Sequence, residues 1–541
     1  MRLLPQVASA APLAGVTGAG GVLAVPSPAN ARIIKATALR VAEAAADGLV
    51  VAAKNVNNSD LALYADHGGT YSKGLAHDQY GRVTAASYTS FINAINSGKF
   101  SAYEAIIVGG TRTLNGPQGA LVYDLEALDN VQFGQPQVPP APTIAGDQNA
   151  TEMVEHYWGA LLRDTAFTDY GGSAVAAAAA TELSSQPTYL GPRNGSGQVT
   201  TDLLFRGGFP GETLGPYLSQ FFVQPTSFGA QPLSQMLQTY LPGTDYGTDF
   251  GEWVDIQNGV STGKTIPLDS QPRFARNGRD LSAYTRVDVL YQAYFTAFLV
   301  LGGSGAPPNP GNPYIGSHVE NGFGTLGSPD FAGSFGEIAT KALNAVWYQK
   351  WNVHLRPRPE AFGGNVYLWA TGQSQFSNVK PSNVVLNSVA LQQSFAKYNS
   401  YLLPLAFPEG SPTHPAYPTG HGAVGGACIT LLKFFFDGNH LLSNPVVPTP
   451  DGLSLAPYTG SDAGQLTVNG ELNKLGHNVS FGHGIHAGIH WRSDTETSML
   501  LGEAVALSFL KNKAKTYNEP FTVHLTKFDG TTATISNAGN P

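Results

Sequence analysis

The chain has 541 residues, of which only 13% are charged, and it carries 63 glycines, 37 prolines and a net charge of −8 at pH 7. A mildly acidic chain this poor in Lys and Arg offers no footprint for nucleic acid or for an anionic membrane surface. Its one cysteine, Cys428, excludes an intrachain disulfide, an iron–sulfur cluster and a CxxCH haem attachment.

Residues 1–35 are rich in Ala, Gly and Pro and read as a flexible N-terminus. Arg2 is the only basic residue before Arg32, and Pro5 and Pro12 interrupt the apolar stretch, so the signal-peptide pattern is weak and leaves cytoplasmic or exported undecided. Residues 36–143 read as an N-terminal part packed on the main domain, and the proline-rich run 135–143 as a semi-rigid spacer. Residues 144–541 read as one helical-bundle domain, although length alone suggests roughly three domains.

Met153, Val154, Tyr157, Trp158, Leu161 and Leu162 recur at helical spacing, as do Val287, Leu290, Tyr291, Tyr294, Phe295 and Phe298. The apolar run Val287–Leu301 contains Asp288 and Gln292 and is too short and polar to span a bilayer, so a soluble protein is expected. Further helices are predicted over Pro329–Val353, Leu386–Leu402, Ala423–Phe436, Glu471–His490 and Ser493–Lys511. Two alternating runs, Phe521–Phe528 and Thr531–Ile535, flank Asp529-Gly530 and predict a hairpin. The expected fold is all-α, with helical bundles forming two four-helix-bundle-like cores and a small C-terminal β-hairpin.

Chemistry concentrates late in the chain, where eight of the 13 histidines lie at or after His414. Thr419-Gly420-His421 open a helix of small residues, so free N–H groups and the positive dipole end point ahead of Thr419, a seat for an oxyanion. Taken alone, the same segment is equally an ordinary N-cap. Lys350 and Arg358 are two cations able to clamp an anion, with Arg356, also followed by proline, as a rival; in isolation both read as solvated surface charges. His483, His486 and His490 fall at i, i+3 and i+7, one helical face that suits a transition metal or a single ligand with oriented neighbours. His414 sits on a loop stiffened by Pro412, Pro415 and Pro418, within reach of a proton-handling role near His421, and Trp347 either walls the pocket or fills the core.

Lys350-x7-Arg358-Pro, His414-Pro-Ala-Tyr-Pro-Thr-Gly-His421 and Ala-Gly-Ile-His490-Trp-Arg-Ser-Asp resemble, in order and spacing, the vanadium-dependent haloperoxidases of the algal and bacterial bromoperoxidase branch. That family shares its anion site with type 2 phosphatidic acid phosphatases. Asn149–Tyr170, Gly207–Gln220 and Gln271–Leu301 resemble the branch too, which extends the likeness from about residue 35 to the C-terminus. The resemblance implies a vanadate cofactor and no haem, with His490 bonding vanadium and Lys350, Arg358, Thr419 and the Gly420 N–H holding its oxygens. It implies that His421 deprotonates hydrogen peroxide, with His414 and Lys350 assisting, so that halide, expected as bromide or iodide, becomes a hypohalous-acid equivalent that halogenates a small organic acceptor. The scarcity of Cys and Met is compatible with that chemistry. A homodimer or a higher symmetric homo-oligomer is implied as well.

Two positions depart from the family pattern. Thr419 stands where serine is usual, and Gly484 stands six residues before His490, where an arginine is expected. Losing one charged hydrogen bond to an oxyanion costs about 1.5–3 kcal/mol. His483 or His486, protonated in the anion's field, is the expected substitute, which makes vanadate binding weaker and more pH-dependent than in an arginine-bearing relative. Two other functions use the same residues: a phosphomonoesterase in which His490 attacks phosphorus, and a degenerate protein that only binds phosphate or metal.

Overall fold

In the computed structural model, residues 28–47, 55–123 and 138–537 are described. The chain divides into two compact units, 1–49 and 50–541. The first holds a single described helix, Pro28–Asp47, which crosses the expected end of the flexible N-terminus at residue 35; the signal-like residues 1–27 lie outside the described residues. The division falls after residue 49, so the expected segment 36–143 straddles it.

Within the second unit the fold is helical. Its long helices are Asp147–Leu162, Ser328–Tyr348, Gly420–Phe435, Val468–Phe481 and Arg492–Thr516. The last four pack on one another as a bundle. The Gly420–Phe435 and Arg492–Thr516 helices meet almost backbone to backbone, because glycine stands where they cross: a Cβ on Gly426 would lie 2.1 Å from the Met499 carbonyl, and one on Gly502 would lie 2.0 Å from that of Ala423. A second helical group surrounds Asp147–Leu162, with Ala174–Ser185 and Val389–Tyr398 against it. Tyr71, Leu75, Tyr88 and Phe91 form a smaller aromatic cluster on Trp351 and Leu355, which docks the early part of this unit under the helix that carries Lys350.

The described strands make three two-stranded antiparallel ladders. The expected C-terminal hairpin is Thr522–Thr526 paired with Thr532–Ser536, turning through Asp529-Gly530, with Val523, Leu525 and Ile535 buried on its inner face. Among the described residues, no helix is long and apolar enough to cross a membrane.

Three predicted helices are interrupted. The run beginning at Val287 is two helices, Gly278–Val287 and Gln292–Ser304, parted at Asp288, whose backbone is extended. The segment 386–402 is a short turn of helix, Asn383–Leu386, and then Val389–Tyr398, because the Ser388 hydroxyl accepts from Leu391 N–H and caps a new start, and Asn399 ends it in the left-handed region. The predicted helix 471–490 stops at Phe481 and continues as a π turn over Gly482–His486, so His490 lies in the turn before the next helix. Inserted turns, and side chains that compete for backbone hydrogen bonds, are the ordinary causes of such breaks, and each one re-aims a polar side chain.

Candidate active site

Lys350 belongs to a π turn, Gln349–His354, that continues the Ser328–Tyr348 helix. The chain then runs extended through Arg-Pro-Arg-Pro, and Arg358 becomes the N-cap of the Pro359–Ala370 helix. Opposite them the 411–419 loop leads into the Gly420–Phe435 helix, and His490 closes the space just ahead of the Arg492–Thr516 helix.

These elements bring Lys350, Arg358, His414, Thr419, His421, His483 and His490 into one buried cluster. The Arg358 guanidinium is its centre. Its Nε donates to the His414 carbonyl at 2.9 Å, one Nη to His490 Nε2 at 2.7 Å, and the other approaches His414 Nδ1 at 3.0 Å. Lys350 Nζ donates to the carbonyls of Pro415 and Ala416, each at 2.8 Å, which leaves one of its three protons for a further acceptor. The Trp347 ring lies 4.7 Å from that of His414 and 6.0 Å from Lys350 Nζ, and its Nε1 donates to the Gly116 carbonyl at 3.0 Å. Trp347 therefore walls the pocket.

Arginine has no acceptor, so His490 Nε2 must accept and carries the lone pair. The ring proton is then on Nδ1, which donates to Asp494 at 3.0 Å. Asp494 also accepts the Trp491 N–H at 3.0 Å and an Arg356 N–H at 2.7 Å. A carboxylate behind an imidazole fixes its tautomer and raises the basicity of the far nitrogen. His421 has the same kind of support: its Nε2 donates to Asp288 at 3.0 Å, and its ring lies 4.3 Å from His483. The break at Asp288 thus serves the site.

Sequence reasoning overlooked both carboxylates. Asp494 lies four residues after His490, a spacing legible in the motif, and Asp288 is a charge in an otherwise apolar run. The rivalry of the two arginines is resolved by geometry: Arg356 turns to Asp494, Ser493 and Asn149, at 2.7, 2.8 and 2.9 Å. The single face of three histidines does not form, because the helix ends before His490. His486 points into an aromatic box of Phe167, Phe205 and Tyr217, with Nε2 2.9 Å from the Tyr217 hydroxyl. Among the described residues no group of three His, Cys, Asp or Glu is placed to hold a metal ion, so the three-histidine metal face does not form, and His486, turned into its aromatic box, stands apart from the cluster. His414 contacts Arg358, Trp347 and the Pro415 carbonyl.

The electrostatics of the cluster are one-sided. Neither Lys350 nor Arg358 has a carboxylate ion-pair partner among the described residues. Burial, reinforced by Arg358, pulls the Lys350 amine well below its ordinary range, and burial pulls Arg358 down to about 10. Burial together with these cations holds His414 and His490 well below the usual imidazole range; for His483 the neighbouring His421 adds to the same effect. Buried cations without a carboxylate partner from the protein are costly, and such a pair suits an anionic ligand.

The donor set fits a tetrahedral oxyanion. Thr419 Oγ1 is buried with no hydrogen-bond partner and does not cap its own helix, and His483 Nδ1 is also buried and unpartnered. The N–H groups of the helix's first turn face the same way. The π turn lengthens the path by about one residue, so His483, seven residues before His490, faces the cluster with its ring 5.6 Å from that of His490. Gly484, six residues before, packs against the His490 backbone, where a Cβ would lie 3.2 Å from its carbonyl oxygen.

No family model matches the chain. It is 34% identical over 532 residues to a vanadium-dependent bromoperoxidase of Ascophyllum nodosum, a match covering 93% of this chain and 92% of that protein. Vanadium-dependent bromoperoxidases of Corallina pilulifera and Corallina officinalis are each 32% identical, over 88% and 86% of this chain and 92% and 90% of theirs. Among solved structures, the homohexameric second vanadate-dependent bromoperoxidase of Ascophyllum nodosum superposes with a TM-score of 0.89 at 27% identity, over 99% of this chain and 94% of that one.

Proposed function

The chain belongs to the vanadium-dependent haloperoxidase family, on its bromoperoxidase branch, and from that membership we propose that it oxidises bromide and iodide with hydrogen peroxide to a hypohalous-acid equivalent that halogenates a small organic acceptor. The observation that carries the assignment of the site is the buried pair Lys350 and Arg358, without a carboxylate, facing the lone pair of His490.

Vanadate held here would supply a Lewis-acidic centre that activates hydrogen peroxide toward halide without a change of oxidation state. His490 would hold it through Nε2, the nitrogen that here accepts from Arg358, and the guanidinium would serve an oxyanion oxygen instead. Asp494 keeps the ring in the ligating tautomer. Lys350, Arg358, the Thr419 hydroxyl and the Gly420 N–H would hold the oxygens, and His483 would add a donor from the position that the π turn creates. His421, with Nε2 pinned by Asp288, has Nδ1 as its basic nitrogen and takes the first proton of hydrogen peroxide. His414 braces Arg358 against Trp347. The homohexameric state of the superposable relative supports a symmetric homo-oligomer as the working form of this protein.

The test is halogenation of a phenolic dye by the anion-free protein with hydrogen peroxide and bromide or iodide, before and after orthovanadate, with phosphate as competitor. Activity that appears with vanadate and falls with phosphate is expected. No activity at saturating vanadate would overturn the reading.

A further inference from the structure

Behind His490 lies a buried polar layer with more carboxylate than cation. Arg356 is shared between two acids: it donates to Asp494 at 2.7 Å and stands 3.8 Å from Glu152. Glu152 Oε2 accepts from the Ser493 N–H and hydroxyl at 3.2 and 2.9 Å, while its Oε1 is buried without a partner. Other titratable groups nearby are Tyr417, whose ring lies 5.8 Å from the Arg356 guanidinium, His354, whose ring lies 4.7 Å from that of Tyr417, Asp60, within electrostatic reach of Arg356, and, on the helix of Glu152 itself, His156 against Trp491 and Glu155 paired with Arg492.

Two carboxylates around one guanidinium in a dry interior resist ionising together. Asp494 keeps its charge more easily, because it has three donors and lies within electrostatic reach of Lys350 and Arg358. Glu152 has only a serine and a distant arginine. An oxyanion in front of His490 neutralises Lys350 and Arg358, and so removes part of what stabilises the negative layer.

We propose that Glu152 is the charge-compensating residue of this pocket, taking a proton from solvent onto its unpartnered oxygen when a tetrahedral oxyanion is held at His490 and returning it when the anion leaves. The position of Glu152 in its titration range agrees: burial pushes the carboxyl up to about 7, against the opposing pull of Arg356 and with reinforcement from Asp494. The inference rests on the oxyanion reading of the pocket. Its consequence is an anion affinity that falls several-fold as pH rises through neutrality.

The experiment is calorimetric titration with tungstate, a tetrahedral dianion kept dilute so that it stays monomeric, in buffers of different ionisation enthalpy, with wild type and variant compared at the same anion concentration so that the anion's own protonation cancels. At pH 7 the wild type is expected to take up a fraction of a proton more than Glu152→Gln. The difference should vanish near pH 5, where Glu152 is protonated with or without anion. Ser493→Ala, which removes a donor to the carboxylate, should move the maximum of uptake to higher pH. Equal uptake at pH 7 by wild type and Glu152→Gln, both binding tungstate, would overturn the proposal and leave the pocket standing. A wild type that binds neither tungstate nor vanadate would overturn both.

Discussion

Arg356 and Arg358 are two residues apart, each followed by proline, and both are buried, yet their surroundings are opposite. Arg356 is held by Asp494, Ser493 and Asn149, with Glu152 beyond, so its charge is matched from within the protein. Arg358 meets only carbonyls and imidazoles. A matched buried cation belongs to the scaffold. An unmatched one, next to an unmatched lysine, belongs to whatever anion arrives, and the protein bears the cost of holding it ready.

The comparison breaks most visibly by truncating each arginine. Arg356→Ala leaves Asp494 as an unpaired buried charge and should cost about 3–5 kcal/mol of stability, read by denaturant unfolding. Arg358→Ala should leave the fold as stable as wild type or more so, while weakening vanadate or tungstate binding by about 1.5–3 kcal/mol. Equal destabilisation by the two would erase the distinction. Between these in effect lies His421→Ala, expected to lower halide oxidation by about 10²–10⁴-fold while tungstate still binds, since its role is to move a proton; loss of binding in step with activity would count against that role.

A smaller effect separates the anion-free and anion-loaded proteins by pH. His414, His483 and His490 are held neutral in the fold, below their unfolded range. The unfolded chain therefore binds more protons as pH falls through about 6.5, and stability present above that value is lost below it. A bound oxyanion favours protonated His414 and His483, while His490 stays neutral as its ligand, and so offsets part of the loss. Melting temperatures at pH 7.5 and 5 should fall more steeply without tungstate than with it, and parallel slopes would contradict the shared field.

The fold class and the hairpin were legible in the sequence because they rest on periodicity: apolar residues every three or four positions, and alternation around Asp529-Gly530. The seven side chains of the cluster were legible as three motifs, yet their mutual placement was not. Periodicity carries no signal for a π turn, so His486 and His490 read as one face when an inserted turn sends the first into an aromatic box and the second to Arg358. Nor does spacing tell which of two Arg-Pro pairs meets a carboxylate, because Asn149, Glu152 and Asp494 come from distant parts of the chain. Asp288 was visible only as a charge out of place, and its meaning needed His421 beside it.

A crystal structure of the protein grown with orthovanadate tests the central claim most directly. The account expects vanadium at bonding distance from His490 Nε2, with Lys350, Arg358 and Thr419 on its oxygens and the Arg356–Asp494 pair unmoved. Vanadate bound elsewhere, with Arg358 still on His490 Nε2 at saturating concentration, would contradict it.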